Sequence, residues 1–181
     1  MGQRASQRTL YRAFGSKAGL FRAVMEAVLA GGGARAETPV EQRAAIKAII
    51  AEPDARRQIE RYAATQPGIH RRAGPLLRAL SAAAASDPEL NDLWREMEAW
   101  RFSGQSRFVG MLADQGKLRS GLPIERACDI VWTLCSLAVC DLLVLERRWS
   151  DQHYQGWLAD SLERELLPEL NAASRRRPRP D

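Results

Sequence analysis

The stretch S-Q-R-T-L-Y-R-A-F-G-S-K-A-G-L-F, residues 6–21, predicts two short helices joined at a glycine. Ser6 is a good N-cap, because its hydroxyl can accept hydrogen bonds from the free backbone N–H groups of the first turn. Gly15 allows the left-handed conformation that ends the first helix, at about residue 14. Ser16 caps the second helix, which we expect to reach about residue 30. The chain therefore begins with a compact helical pair.

The outer face of the first helix is rich in hydrogen-bond donors and hydroxyl groups. Arginine matches phosphate and guanine, and glutamine matches adenine, so this face suits a DNA duplex. The candidate DNA-binding residues are Gln7, Arg8, Thr9, Tyr11, Arg12 and Lys17. The same pattern is typical of an amphipathic helix with a solvated basic face, and spacing alone does not separate the two interpretations.

Residues 6–20 resemble the recognition helix and the following helix of TetR-family transcriptional repressors, whose pattern there is close to V-S-x-x-T-L-Y-x-x-F-x-S-K-x-x-L. The matching positions are Ser6, Thr9, Leu10, Tyr11, Phe14, Ser16, Lys17 and Leu20. The resemblance implies that Gln7 and Arg8 face bases. It also implies that Thr9, Tyr11 and Lys17 hold phosphates.

The recognition helix begins close to the first residue of the chain. A helix-turn-helix needs an earlier helix that crosses the DNA backbone and braces the recognition helix. Only residues 1–5 precede Ser6, so we expect an incomplete head. Either Met1 lies inside a longer reading frame, or the protein is short and its DNA binding is impaired. The intact recognition side chains favour the first explanation.

The composition indicates an all-α protein. β-branched residues are sparse, and no segment alternates between apolar and polar residues with period two. With 181 residues, the chain can bury a substantial core in one or two domains. Its formal net charge of +5 suits an anionic partner, although part of the excess lies in the C-terminal tail.

Breaks in the apolar pattern divide the chain into three parts. A partial helix-turn-helix head spans residues 1–33 and ends at three consecutive glycines, because such a run costs too much entropy inside a helix. Residues 34–168 are predicted to form a helical body, which the TetR resemblance implies is an effector-binding and dimerisation domain, and residues 169–181 are predicted to form a basic, disordered tail. Within the domain we expect a break at Pro67-Gly68 and a cap at Ser150. The predicted helices are at about 38–52, 54–66, 69–85, 88–115, 124–147 and 150–168.

No enzyme active site is evident in the sequence. It contains no glycine-rich phosphate loop, zinc-ligand spacing or nucleophile elbow, so we expect no catalysis, no cofactor and no metal site. The two histidines, His70 and His153, are isolated. We expect His70 to be exposed, because it stands beside Arg71 and Arg72.

The predicted helix at 124–147 carries all three cysteines, Cys128, Cys135 and Cys140. Without a secretory signal, we interpret them as reduced core residues of a cytoplasmic protein. The apolar run at 130–145 is too short for a membrane span and contains Asp141, so a buried helix is predicted and no membrane partner.

The body resembles the dimerising, effector-binding domain of the TetR family. The likeness is carried by A-I-I-A-E-P-D-A-R-R-Q (48–58), S-D-P-E-L-N-D-L-W-R (86–95) and L-L-V-L-E-R-R-W-S-D-Q-H-Y-Q-G-W-L (142–158). It implies a four-helix interface between the last two helices and their symmetry mates. The helix at 124–147 is apolar nearly all round, which independently indicates partners on two sides. The candidate dimer residues are Leu137, Leu142, Leu143, Tyr154, Trp157, Leu158 and Leu162. An intrachain core without a dimer is the alternative.

A small-molecule pocket between the body helices is also expected, since helical bundles bind ligands there. Its candidate lining is Tyr62, Trp94, Met97, Trp100, Phe108 and Trp132, and plain core packing is the alternative for each. The sequence thus predicts an all-α, TetR-like homodimer. Its expected function is that of a repressor, released from a double-stranded DNA operator by a small-molecule effector. The alternative is an N-terminally truncated, dimerising ligand-binding protein that does not bind DNA.

Overall fold

The computed structural model describes residues 14–30 and 42–169, and every regular element within those ranges is helical. This confirms the all-α prediction. Almost all of the predicted recognition helix, the three glycines at 31–33 and the tail from residue 170 lie outside the described residues. The described elements are α1 (Lys17–Ala30), α2 (Ala44–Ile50), α3 (Ala55–Ala84), α4 (Pro88–Asp114), α5 (Ile124–Leu134), α6 (Leu137–Cys140), the π-helical segment Asp141–Glu146 and α7 (Asp151–Leu166).

Helix α3 is continuous, so the predicted break at Pro67-Gly68 is wrong. A proline inside a helix removes one backbone hydrogen bond and costs about 3 kcal/mol or more. Here packing on both sides of the proline outweighs that cost. Ile59 is fully buried in one apolar cluster and Leu80 is fully buried in another. The two clusters hold the two halves of α3 in line.

The predicted single helix at 124–147 is also wrong. Helix α5 ends at Leu134, and Ser136 starts α6 by accepting a hydrogen bond from the Val139 N–H at 3.2 Å. The chain then widens into the π-helical segment. Apolar periodicity cannot reveal this break, because the segments on both sides of it present apolar side chains. The competing serine cap is the local signal that ends α5.

Two apolar clusters meet along α3 and α4. The α7 cluster joins α2, α3, α4, α5, α6 and α7, and its fully buried members include Ile59, Val109, Leu112, Val131, Tyr154, Leu158, Leu162 and Leu166. The α1 cluster joins α1 to the C-terminal half of α3 and the N-terminal half of α4. Its buried members are Ala18, Met25, Ala73, Leu80, Leu90, Leu93 and Met97.

In residues 14–30 and 42–169, no single helix is long and apolar enough to cross a membrane. Only α5 taken together with Leu137–Glu146 reaches that length and composition, and this pair is bent by 41° at its break. The described part of the chain also holds no group of three or more His, Cys, Asp or Glu side chains arranged for a metal ion.

Candidate functional site

A tight turn leads into α1. Gly15 adopts φ +73°, the left-handed conformation that was predicted, and the Ser16 N–H donates to the Phe14 carbonyl at 2.8 Å. The Ser16 hydroxyl accepts from the Gly19 N–H at 3.1 Å, which confirms the predicted cap. A Cβ atom at Gly19 would overlap the Phe14 carbonyl oxygen. The absence of a side chain at residue 19 therefore permits the close approach of the preceding backbone.

The predicted DNA-binding residues are mostly beyond the described ranges. Gln7, Arg8, Thr9, Tyr11 and Arg12 lie there. Lys17 is described: its side chain is 61% exposed, and its Nζ lies 3.8 Å from a carboxylate oxygen of Asp87. A pair this exposed contributes about 0–1 kcal/mol, so it does little to restrain the lysine.

Helix α1 is attached to the body by an apolar stripe, by the Arg22–Glu96 ion pair, by the exposed Lys17–Asp87 pair and by a 3.4 Å hydrogen bond from Arg72 Nε to the Val28 carbonyl. The Arg22 guanidinium makes a two-pronged contact with the Glu96 carboxylate, with Nη2 2.6 Å from Oε2. This hydrogen bonding raises the pKa of Arg22. Ala18 and Met25 lie on the inner face of α1 and are buried against α3 and α4. The fork-shaped contact fixes the direction of α1 as well as its position.

The six predicted pocket residues are divided between the two apolar clusters and the surface. Tyr62 and Phe108 stack with ring centroids 3.9 Å apart in the α7 cluster. Met97 and Trp94 belong to the α1 cluster. The remaining two are exposed: Trp100 by 47% and Trp132 by 38%, and the Arg101 guanidinium lies 4.7 Å from the Trp132 ring centroid.

A cavity of about 310 Å³ lies instead between α3 and the segment from α6 to the start of α7. From α3 it is lined by Pro67, His70, Arg71, Pro75 and Arg78, and from the other side by Cys140, Asp141, Val144, Leu145, Asp151 and Tyr154. Two ion pairs join its walls. Arg71 Nη1 lies 2.7 Å from Asp151 Oδ2, and Arg78 Nη1 lies 2.8 Å from Asp141 Oδ1. The charges at the cavity are therefore already paired.

The cavity wall contains buried polar groups that have no hydrogen-bond partner in the protein. Both ring nitrogens of His70 and the Tyr154 hydroxyl are in this state, so the prediction that His70 is exposed is wrong. The His70 and Tyr154 rings meet edge to face, with centroids 6.1 Å apart. Burial, aided by the charges of Arg101 and Arg78, lowers the pKa of His70 to about 4. The imidazole is therefore neutral at physiological pH.

The cysteines are buried and free, as the core interpretation predicts. Burial raises the pKa of Cys135 to about 12, and burial together with the Asp141 carboxylate raises the pKa of Cys140 to about 11. Cys140 lines the cavity and lies near the Tyr154 hydroxyl without the geometry of a hydrogen bond. Both residues are thiols at neutral pH and are poor nucleophiles.

The predicted dimer residues fall into three groups by exposure. Tyr154, Leu158 and Leu162 are fully buried in the α7 cluster, so within this structure they have no surface to offer to a second subunit. Leu142, in contrast, is 60% exposed. Leu137, Leu143 and Trp157 are partly buried.

No protein-family model matches the chain, and no curated protein sequence or solved structure matches it either. The chemistry of the site must therefore be argued from the residues. Sequence reasoning missed His70 as a cavity residue. No local signal places it there, because the cavity exists only once α3 continues through Pro67 and the segment from α6 to α7 packs beside it.

Proposed function

We propose that this protein is a DNA-binding transcriptional regulator of TetR type, a repressor that a small-molecule effector releases from its operator. The observation that carries the proposal is the sequence of residues 6–21. The cationic helix predicted at its start precedes a turn in which Gly15, Ser16 and Gly19 each occupy a position that the turn requires. A recognition helix needs such a turn to be held at a defined angle to its neighbour.

The attachment of α1 supports a route from body to head. Arg22 and Met25 join α1 to helices α3 and α4, which also build the α7 cluster. A change in the relative position of α3 and α4 would therefore move α1. In the proposed mechanism the protein has two shapes, and an effector that prefers one of them changes operator affinity.

A homodimer is part of this proposal. The exposed side chains of Leu142 and Leu145 lie on the π-helical segment and give an apolar surface for a symmetry mate. A twofold pair would set two recognition helices at major grooves about 34 Å apart, which is one turn of DNA.

The test is DNA binding by the purified chain, measured by fluorescence anisotropy. The probes are duplexes selected from a random library and a random-sequence duplex. We expect Tyr11→Ala and Lys17→Ala to weaken binding to both probes, because phosphate contacts carry no sequence information. Gln7→Ala and Arg8→Ala should mainly reduce the preference for the selected duplex. Matched controls are Lys47→Ala on α2 and Arg126→Ala on α5, both exposed.

A further variant tests the turn without touching a DNA-binding side chain. Gly19→Ala should weaken binding to both duplexes at least tenfold, because the added Cβ displaces the Phe14 backbone. Gly104→Ala on α4 is the control, since a Cβ at residue 104 meets nothing within 4 Å. If the folded chain selects no duplex at low salt, the protein is a ligand-binding body without DNA recognition, and the proposal fails.

A further inference from the structure

Three irregular features of the fold converge on the cavity between α3 and the segment from α6 to α7. Pro67 and Pro75 both line it, and a proline leaves the carbonyl four residues earlier without its helical donor. For Pro75 that carbonyl belongs to Arg71, on the same face of α3. The opposite wall is the π-helical segment Asp141–Glu146, a geometry that is rare and frequent at functional sites. The third feature is the pair of partnerless polar residues, His70 and Tyr154.

The His70 ring can present a nitrogen to the cavity at little cost. Both ring nitrogens are buried, although His70 as a whole is partly exposed and lines the cavity. A half-turn about the last side-chain torsion exchanges carbon and nitrogen positions, and this torsion has a broad, roughly twofold profile. The rotation breaks no hydrogen bond of standard geometry, because the nearest backbone partner, Cys135, interacts with the imidazole too weakly to meet that geometry. A ring nitrogen of His70 could therefore donate a hydrogen bond to a molecule in the cavity or accept one from it.

The charges at the cavity favour a neutral occupant. Its two cations and two anions pair with each other, as Arg71 with Asp151 and Arg78 with Asp141. The imidazole of His70 adds no charge. An ionic ligand would have to leave water without gaining an unpaired counter-charge, and that desolvation is costly.

The size and walls of the cavity limit the shape of that occupant. Its volume of about 310 Å³ is roughly twice that of a cavity known to hold benzene, about 150 Å³. Val144, Leu145 and the two proline rings supply apolar surface. The polar end of the ligand must satisfy a histidine that is a donor at one nitrogen and an acceptor at the other. A hydroxyl group can do both.

We propose that this cavity binds a small, neutral, largely apolar molecule of one or two rings that carries a hydroxyl group, held through His70 and Tyr154. Binding at this place is independent of any DNA contact. The role of the bound molecule as the effector rests on the proposed function.

The test uses three probes of the same ring system, which are 2-naphthol, naphthalene and 2-naphthoate. Their affinities for the full chain are measured by fluorescence titration without DNA. We expect 2-naphthol to bind more tightly than either of the others. His70→Leu should weaken 2-naphthol binding by about 5- to 100-fold, because the buried hydroxyl loses its partner, and should change naphthalene binding by less than twofold. His153→Leu, at an exposed histidine of α7, should leave both affinities unchanged.

A pair of tyrosine variants locates the site. Tyr154→Phe should weaken 2-naphthol binding, whereas Tyr62→Phe, in the stacked pair with Phe108, should not. Neither His70→Leu nor Tyr154→Phe removes a side-chain hydrogen bond of standard geometry, so both variants should fold, and a circular dichroism melt checks this. The opposite tyrosine result would move the site to the stacked pair and overturn the assignment.

Two further results would contradict the proposed ligand. Tighter binding of 2-naphthoate would refute the neutral ligand, and no binding of 2-naphthol to the folded chain would mean that the cavity holds only water. Anisotropy of a DNA complex then tests the effector role separately. If 2-naphthol binds but leaves DNA affinity unchanged, the cavity assignment stands and the effector role fails.

Discussion

The α7 cluster and the α1 cluster share helices α3 and α4, yet they hold their outer helices in different ways. Helix α7 buries a strict row of residues four apart, Tyr154, Leu158, Leu162 and Leu166, and each is fully enclosed. In residues 17–28 of helix α1, Ala18 and Met25 are buried, and Phe21 and Val28 are partly covered.

The difference separates a structural helix from a detachable one. A helix enclosed on several sides opens only when the whole domain unfolds, whereas a helix packed along one stripe can open locally. We therefore expect α1 to move at a lower free energy than α7. For the proposed regulator, the readily moved helix would then directly follow the predicted recognition helix in the sequence.

The largest effect is expected in the α7 cluster. Ile59→Ala should lower the free energy of unfolding by about 2–5 kcal/mol, because it leaves a cavity in a closed core. Ile50→Ala is the matched control: this isoleucine ends α2 and is 49% exposed, so its loss should cost less than about 1 kcal/mol. Urea unfolding followed by circular dichroism measures both. Similar losses would show that the α7 cluster is not the closed core described.

The pH dependence of stability tests the burial of His70, which lies on α3 in the wall of the cavity. The folded pKa of His70, about 4, lies below the unfolded value of about 6.5. Its contribution to stability is therefore complete above pH 6.5 and is lost as the pH falls towards 4. The loss should be about 3 kcal/mol. It should be absent in His70→Leu and retained in His153→Leu, measured as unfolding free energy at pH 7 and pH 4.

A smaller effect is expected at α1. Met25→Ala should lower the free energy of local α1 opening by about 2 kcal/mol, because Met25 is the largest fully buried side chain of that helix. Hydrogen exchange should then quicken in residues 17–30 and stay unchanged in α7. Glu26→Ala, at the exposed neighbour, should alter neither. Faster exchange in both helices would show that the two clusters open together.

The two regions also differ in how far the sequence predicts them. Local signals were sufficient around α1 and at the start of α7, because Gly15, Ser16 and Ser150 act on their own backbone. The continuity of α3 could not be predicted, since it depends on clusters formed by distant residues that outweigh Pro67. The cavity could not be predicted from the sequence for the same reason. Its walls are brought together by the break after α5, and the aromatic residues chosen for a pocket are divided between clusters and surface.

The smallest effect is expected in the turn that precedes α1. Gly15→Ala should cost about 1–2 kcal/mol, because φ +73° is unfavourable for a residue with a Cβ, although a Cβ there meets nothing within 4 Å. Gly104→Ala, in open surroundings within α4, should instead stabilise the protein by up to about 1 kcal/mol. Stability changes of opposite sign in these two variants would show that the loss at residue 15 comes from backbone conformation and not from packing. We expect the loss at Gly15 to quicken exchange in the first turn of α1 alone, since only the attachment of that helix depends on the turn. A matching loss in α7 would contradict the view that α1 opens independently.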